Sequence, residues 1–394
     1  MSGGVLRTVC AAALATLVVT SQAAAAPVAP DPDAGGTAKA PAAPAGANRS
    51  VAQLLSELRQ LYQQAEEATE TYNGTAAELK KRKAQAKKLD IQLVAARTAL
   101  ADSRDEAGRL AREQYQGRSD FSTYLRLLLS RDPEHLLDQE HVIRRAAAGR
   151  AATVKRLTGA EKRADELATE SRKVLDRQQV LAAKQKKQRD KVRKRLKAVE
   201  SMLATLSGPQ LTELSRLEQR DVQKAQGALA SSGALSSTRP PSEAGGKAVR
   251  YAVEQVGKPY VWGAEGPDSF DCSGLTSQAW AKAGLVIPRT SQEQWRQLRK
   301  VPVNALRPGD LVIYFPKATH VALYLGNGLV VQAPRPGSRV KVSPLASNPL
   351  LGAVRPDPRN VPLSAYKPPG LPQGASSGSD AGYSSSSAPA ASGK

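Results

Sequence analysis

Few residues in this chain carry reactive side chains, and two of them stand out by isolation. Cys272 is the only cysteine besides Cys10, and His320 is the only histidine in the last 250 residues. A thiol and an imidazole within reach of each other make a nucleophile and a general base. Leu275, Ala279 and Ala283 follow Cys272 at helical spacing, and Gly284 stops the pattern. The spacing predicts a helix that begins at or within a residue of Cys272. Unpaired backbone N–H groups and the macrodipole at such a start favour a thiolate. Downstream, Leu311–Phe315, His320–Leu325, Leu329–Ala333 and Arg339–Val342 read as strands, with Gly326-Asn327-Gly328 as a hairpin turn. That turn sets His320 and Gln332 nearly opposite or diagonal on strands about 4.8 Å apart. Gln332 is then the third polar group that orients the imidazole. A helix followed by an antiparallel meander is an α+β arrangement.

A compact core must hold these groups. All three Trp, and all but one of the Phe, lie between positions 262 and 315, although aromatics make up only 4% of the 394 residues. A globular unit is therefore expected at 247–357. It opens with a helix over 247–257 and a turn, Lys258-Pro259-Tyr260-Val261-Trp262-Gly263. The rest of the chain differs in kind. Residues 1–26 read as a secretory signal, with Arg7 as the basic start, Val9–Val19 as the apolar stretch and Ala24-Ala25-Ala26 as the cleavage site. Once it is removed, Cys272 is a lone thiol in an exported chain. Residues 27–49 read as a disordered spacer, 231–246 as a linker and 358–394 as a disordered tail, by their Ala, Pro, Gly and Ser content.

Residues 50–230 carry a different pattern. From Val51 to Leu110 an a/d seam runs at 3,4 spacing through Leu54, Leu58, Ala65, Leu79, Leu89 and Leu93. A seam of roughly eight heptads predicts a coiled coil with a helix about 90 Å long. Gly117-Arg118-Ser119-Asp120 and the leucine-rich stretch to 141 predict a compact tip. A second seam then runs from Val154 through Leu157, Ala164, Leu175, Val192 and Val199 to Leu206. The two helices are expected to form an antiparallel hairpin, with Glu66, Glu67 and Glu70 beside the basic run Arg189–Arg195. The net charge of +21 favours anionic partners, namely wall polymers or a membrane surface, and export argues against nucleic acid.

The motifs around Cys272 and His320 carry a family resemblance. DCSG, then THVALYLGNG and APRPG, with YVWG before the cysteine and RTSQEQW after it, resemble the NlpC/p60 cell-wall cysteine peptidases over roughly residues 245–355. The resemblance implies a papain-like core with Cys272 as nucleophile, His320 as base and Gln332 in the third polar position. It implies that Tyr260 lines the substrate site and that Asp271 and Ser273 flank the nucleophile there. No cofactor or metal is implied. Position 332 is often His in that family and is Gln here, which holds a tautomer but does not stabilise an imidazolium as a carboxylate would. The expected activity is that of a secreted, cell-wall-associated peptidoglycan hydrolase cutting stem peptides at the D-γ-glutamyl–diamino acid bond. The helical region is similar to hairpins on related enzymes that a membrane division complex of the FtsEX type holds or releases. The alternative is a wall-associated coiled-coil scaffold with a weak or inactive catalytic domain, and an amidase or acyltransferase on the same core is a third reading. If the hairpin lies over the active-site groove, the isolated 243–357 fragment digests walls faster than the mature chain.

Overall fold

The computed structural model describes residues 50–116, 133–235 and 239–377. The signal and spacer expected over 1–49, most of the expected tip and the last residues of the tail lie outside them.

Two long helices form the first part. Helix α1 spans Val51–Tyr115 and starts with a capping box, in which Ser50 and Gln53 satisfy each other's backbone N–H groups. Helix α2 spans Pro133–Ala204. The Arg104–Glu161 ion pair, and the one buried cluster that holds Leu54, Tyr62 and Val199, show that the helices run antiparallel. Along α1 the expected seam is the buried one: Leu54, Leu58, Ala65, Leu79, Leu89, Leu93 and Ala96 are all buried. The seam on α2 departs from expectation. Val154 and Leu175 are exposed, while Thr153 and Val174 beside them are buried. This stretch is rich in Ala, Gln, Lys and Arg, so few large apolar side chains fix its frame. No helix among the described residues is long and apolar enough to cross a membrane.

Helix α1 also buries a second face. Tyr62, Glu66, Thr69, Glu70 and Asn73 are buried, at the spacing of one helical stripe. The expected pairing of Glu66, Glu67 and Glu70 with the basic run of α2 is therefore not met. Glu67 pairs with Lys317 at 3.0 Å, and Glu66 and Glu70 enter the globular unit. Buried donors hold a carboxylate in short charge-assisted bonds, whereas exposed lysines offer little net attraction. Helix α3, Gly208–Ser231, follows a capping box at Ser207 and lies against the same unit. Gln226 of α3 donates to the Gly328 carbonyl at 3.0 Å and accepts from the Ala346 N–H at 2.9 Å.

The globular unit opens with α4, Glu243–Glu254, capped by Ser242. The linker is thus shorter than expected, and the helix starts four residues earlier. Helix α5, Cys272–Lys282, and α6, Ser291–Gln297, follow. Six antiparallel strands come next: β1 Arg299–Val301, β2 Leu311–Tyr314, β3 His320–Gly326, β4 Leu329–Gln332, β5 Lys341–Pro344 and β6 Leu350–Arg355. They form one sheet in the order β1-β6-β2-β3-β4-β5. The turn from β3 to β4 falls on Asn327 and Gly328, both at positive φ, which suits a tight hairpin. Strands β1 and β6 were not among the four expected. Residues 358–377 also depart from expectation. Leu363 donates to the Pro241 carbonyl, Arg307 bonds the Asn360 carbonyl, and Val342 donates to the Ala375 carbonyl. Trp280, Phe270, Leu275 and Val321 are buried in the core between α4, α5 and the sheet. The Trp280 indole N–H donates to the Gly309 carbonyl.

Candidate active site

The sequence around Cys272 leaves little freedom in its placement. Asp271 is the N-cap of α5 and accepts from the Gly274 N–H at 2.6 Å. A Cβ on Gly274 would stand 2.1 Å from the Ala264 carbonyl, so the helix start abuts the preceding loop through glycine alone. Asp271 is completely buried and is held by Arg289, whose two terminal nitrogens donate to its two oxygens at 3.1 and 2.7 Å. Arg289 also donates to the Ser273 hydroxyl at 2.8 Å. The Gly263 N–H donates to Asp271 as well.

His320 stands at the start of β3. Leu323 pairs with Val331, which puts Gln332 across from Ala322 and two residues from His320 on the same face. The ring closes that diagonal: His320 Nε2 lies 2.7 Å from Gln332 Oε1. With the amide oxygen towards the ring, Nε2 carries the proton and Nδ1 carries the lone pair. Both residues are buried. Gln332 in turn donates to the Ser347 hydroxyl at 3.3 Å. Tyr260 is also buried, and its phenol is pushed well above 10 by burial first and then by Cys272, Asp271, Glu66 and Glu70. The groups expected at 260, 271, 272, 273, 320 and 332 therefore come together on α5, the loop before it and the β3–β4 hairpin.

Into this site comes α1. Glu70 Oε1 accepts from the Ser273 hydroxyl at 2.8 Å and lies 3.9 Å from Cys272 Sγ. Its other oxygen accepts from the Ser291 N–H at 2.7 Å and the Ser291 hydroxyl at 2.9 Å. Asn73 donates to Asp271 at 3.0 Å, and Glu66 lies 3.8 Å from His320 Nδ1. The ring of Tyr72 meets Trp262 edge-on at 4.9 Å, and the Arg335 guanidinium lies 4.7 Å from the centre of the Tyr62 ring.

These contacts reverse one expectation. The helix start was expected to favour a Cys272 thiolate, but its thiol is pushed well above 9. Burial is the main cause, followed by the carboxyls of Glu70, Asp271 and Glu66. Desolvation and three nearby carboxyls outweigh the partial charge of one helix end. The two glutamates are themselves raised. Glu66 is pushed up to about 8 by burial, with Arg335 pulling it down and Glu70 pushing it up. Glu70 is pushed up to about 7 by burial and by Asp271, against Arg289 and the bonds from Ser273 and Ser291. The ligand atoms of Glu70, Asp271 and Cys272 lie within 4.8 Å of one another. Both Asp271 oxygens already accept from N–H donors, so the cluster fits a hydrogen-bond network better than a metal seat.

Three contributors were not read from the sequence. Arg289 and Ser291 lie inside the RTSQEQW segment, yet their donors gain meaning only beside Asp271 and Glu70. Glu70 lies 202 residues from Cys272, and only its place on the second stripe of α1 could have singled it out.

A helix that presents a thiol at its first residue, packed on an antiparallel sheet that presents an imidazole and an amide, defines an α+β domain of the papain-like kind. Residues 257–353 match the NlpC/P60 family, and this part of the chain is an NlpC/P60 domain. A probable endopeptidase of Corynebacterium glutamicum is 42% identical over 116 residues, which cover 29% of this chain and 56% of that protein. The peptidoglycan endopeptidase RipA of Mycolicibacterium smegmatis is 40% identical over 114 residues, covering 25% of this chain and 23% of that protein. Among solved structures, an NlpC/P60 family protein from Bacillus cereus is 30% identical, covers 30% of this chain and 42% of its own, and superimposes with a TM-score of 0.28. The chain thus spans about half of the first of these relatives and less of the others.

Proposed function

We propose that this chain is a secreted peptidoglycan hydrolase of the cysteine endopeptidase type, acting on stem peptides at the D-γ-glutamyl–diamino acid bond. The observation that carries the reading is a helix-start Cys272 that receives a backbone bond from Val321, next in the chain to a His320 whose Nε2 is held by Gln332 at 2.7 Å. With Nε2–H engaged, Nδ1 is the lone pair that accepts the Cys272 proton. The thiolate attacks the scissile carbonyl, and in this reading the backbone N–H of Cys272 at the helix start stabilises the oxyanion. Collapse releases the amine, which takes the proton from His320. Water, deprotonated by the same imidazole, then hydrolyses the thioester. Asp271 and Arg289 fix the helix start, and Tyr260 lines the site. The seat now filled by the Glu70 carboxylate supports a substrate that bears a carboxylate near the bond, as a γ-linked D-glutamate does. The similarity to probable and peptidoglycan endopeptidases supports the wall as substrate.

Partners follow from the same reading. The long hairpin suits a membrane division complex of the FtsEX type, and its basic faces suit anionic wall polymers or lipid. The raised thiol of Cys272 favours a second reading, a scaffold with a weak catalytic domain. Mass analysis of fragments released from defined walls separates the two. Wild type should release fragments cut after D-glutamate, and Cys272→Ala should release none. Equal release by both chains would refute the assignment, and a different cut bond would point to an amidase.

A further inference from the structure

The imidazole of His320 is held from more than one side. Tyr314 lies opposite it in the β2–β3 register, and the two rings stand 5.6 Å apart, tilted by 39°. The Tyr314 hydroxyl donates to the Leu345 carbonyl at 2.9 Å. Leu345 opens a short turn, Leu345–Ser347, and its N–H donates to the Gly328 carbonyl at 2.8 Å. Gly328 lies in the turn between the two strands that carry His320 and Gln332. Ser347 ends the short turn and accepts from Gln332 at 3.3 Å, and Gln332 holds His320. The path from the ring through Gln332, Ser347, Leu345 and Tyr314 thus returns to the ring. Four of these five residues are buried, and Ser347 is half-buried.

The amide of Gln332 is the weak point of this circuit. The last torsion of a glutamine side chain is broad and roughly two-fold, so packing alone does not fix the amide plane. One end of an amide accepts and the other donates. Oε1 meets Nε2–H only while the amide stays in the plane that points it there, so the far end needs a partner. The Ser347 hydroxyl is that partner. We propose that Ser347 is a positioning residue for the reaction: it fixes the Gln332 amide, and through it the His320 ring and the nitrogen that takes the Cys272 proton. The proposal rests on the reading of His320 as the base. Ser347 acts through Gln332 and touches no reacting atom, so its effect belongs to the chemical step and not to substrate capture. A neutral hydrogen bond of this kind shifts an orientational preference about two- to tenfold. Removing it should lower kcat within that range and leave KM unchanged.

The test uses the full chain and two independent readouts. The first is steady-state kinetics on a soluble stem peptide. The second is the proton resonance of His320 Nε2–H in chains carrying isotope-labelled histidine. The sequence holds three histidines, and the His320 signal is the one lost in His320→Gln. Ser347→Ala should lower kcat at constant KM and move or broaden that resonance, because the bond to Oε1 loosens. Ser347→Thr keeps the hydroxyl and should match wild type in both readouts. Ser347→Val has the shape of the threonine without its hydroxyl and should behave as the alanine does, which preserves the comparison if the smaller side chain disturbs the turn. In a Gln332→Ala background, Ser347→Ala should cost nothing further, since its route to the base is gone. Wild-type kcat and an unmoved resonance in the alanine and valine variants would overturn the proposal. So would the full loss recurring in the Gln332→Ala background, which would mark a general loosening of the turn, or an effect on KM alone. A moved resonance in Ser347→Ala, with no stem peptide cut by wild type, would leave the positioning standing and refute the peptidase reading. Cleavage at one rate by wild type, alanine and valine chains would do the reverse.

Discussion

Lowering the pH should close the site, and raising it should open it. The cause lies in two carboxyls of α1. When α1 is withdrawn into water, Glu66 and Glu70 return to the ordinary value of 4.5; docked, they rise to about 8 and about 7. Both hold protons more tightly when docked, so docking takes up protons and acid favours it. Between about pH 5 and pH 7 the docked form holds up to two more protons than the withdrawn form. Linkage then weakens docking by at most roughly a hundredfold per pH unit in that window. From pH 7 to 8 only Glu66 still contributes, and the slope falls to at most about tenfold. Above 8 the effect ends. Among the charged and titratable groups, Arg335, Glu70, His320, Tyr62 and Tyr260 face Glu66, and Asp271, Arg289, Cys272, Glu66 and Tyr260 face Glu70. The assay is alkylation of Cys272 divided by its rate in the urea-unfolded chain, which removes the thiol's own pH dependence. This protection should fall steadily from pH 5 to 8 in wild type. It should become nearly flat in Glu66→Gln/Glu70→Gln, which has no proton to lose at either position. Protection that is constant or grows with pH would refute the reasoning.

Two further outcomes follow from the geometry. Replacing Gln332 by Ala removes the acceptor at His320 Nε2, and kcat should fall about ten- to hundredfold, as expected for a displaced general base; Gln332→His should keep most of it, and steady-state kinetics on a soluble stem peptide checks both. Cutting the catalytic unit at 239–377 should give a fragment that digests walls faster than the full chain, whereas 243–357 loses the Ser242 cap and the Leu363–Pro241 bond and should melt about 5 °C or more below it by calorimetry.

The parts that were legible in the sequence are those whose signal is local. Cys272, His320 and Gln332 could be placed because a helix start and a hairpin with an Asn-Gly turn fix them over short distances. The seam of α1 was legible because leucines mark its period. On α2 the frame slipped at Val154 and Leu175, where the apolar residues are too sparse to decide between adjacent positions. Glu66 and Glu70 read as interhelical residues and Asn73 drew no reading, since a polar stripe on a helix says nothing about a partner some 200 positions away. The order of residues 358–377 was hidden for a related reason. Their composition is that of a loose tail, but backbone bonds to Pro241 and Val342 and the bond from Arg307 to the Asn360 carbonyl hold that stretch to the domain.

The unbroken length of α1 has a mechanical meaning. Glu70 and the far end of the helix at Tyr115 belong to one continuous rod, separated by roughly 68 Å at the rise of an α-helix. Such a rod has no joint at which motion is lost, so a push or tilt applied at its far end arrives at the catalytic groove as leverage. Rotation matters as much as translation. A single residue inserted in α1 between Glu70 and the far end would turn one part against the other by about 100°. Glu70 would keep its seat only if the hairpin gave up its seam. The register of the helix thus sets whether Glu70 keeps its seat beside Ser273 and Ser291.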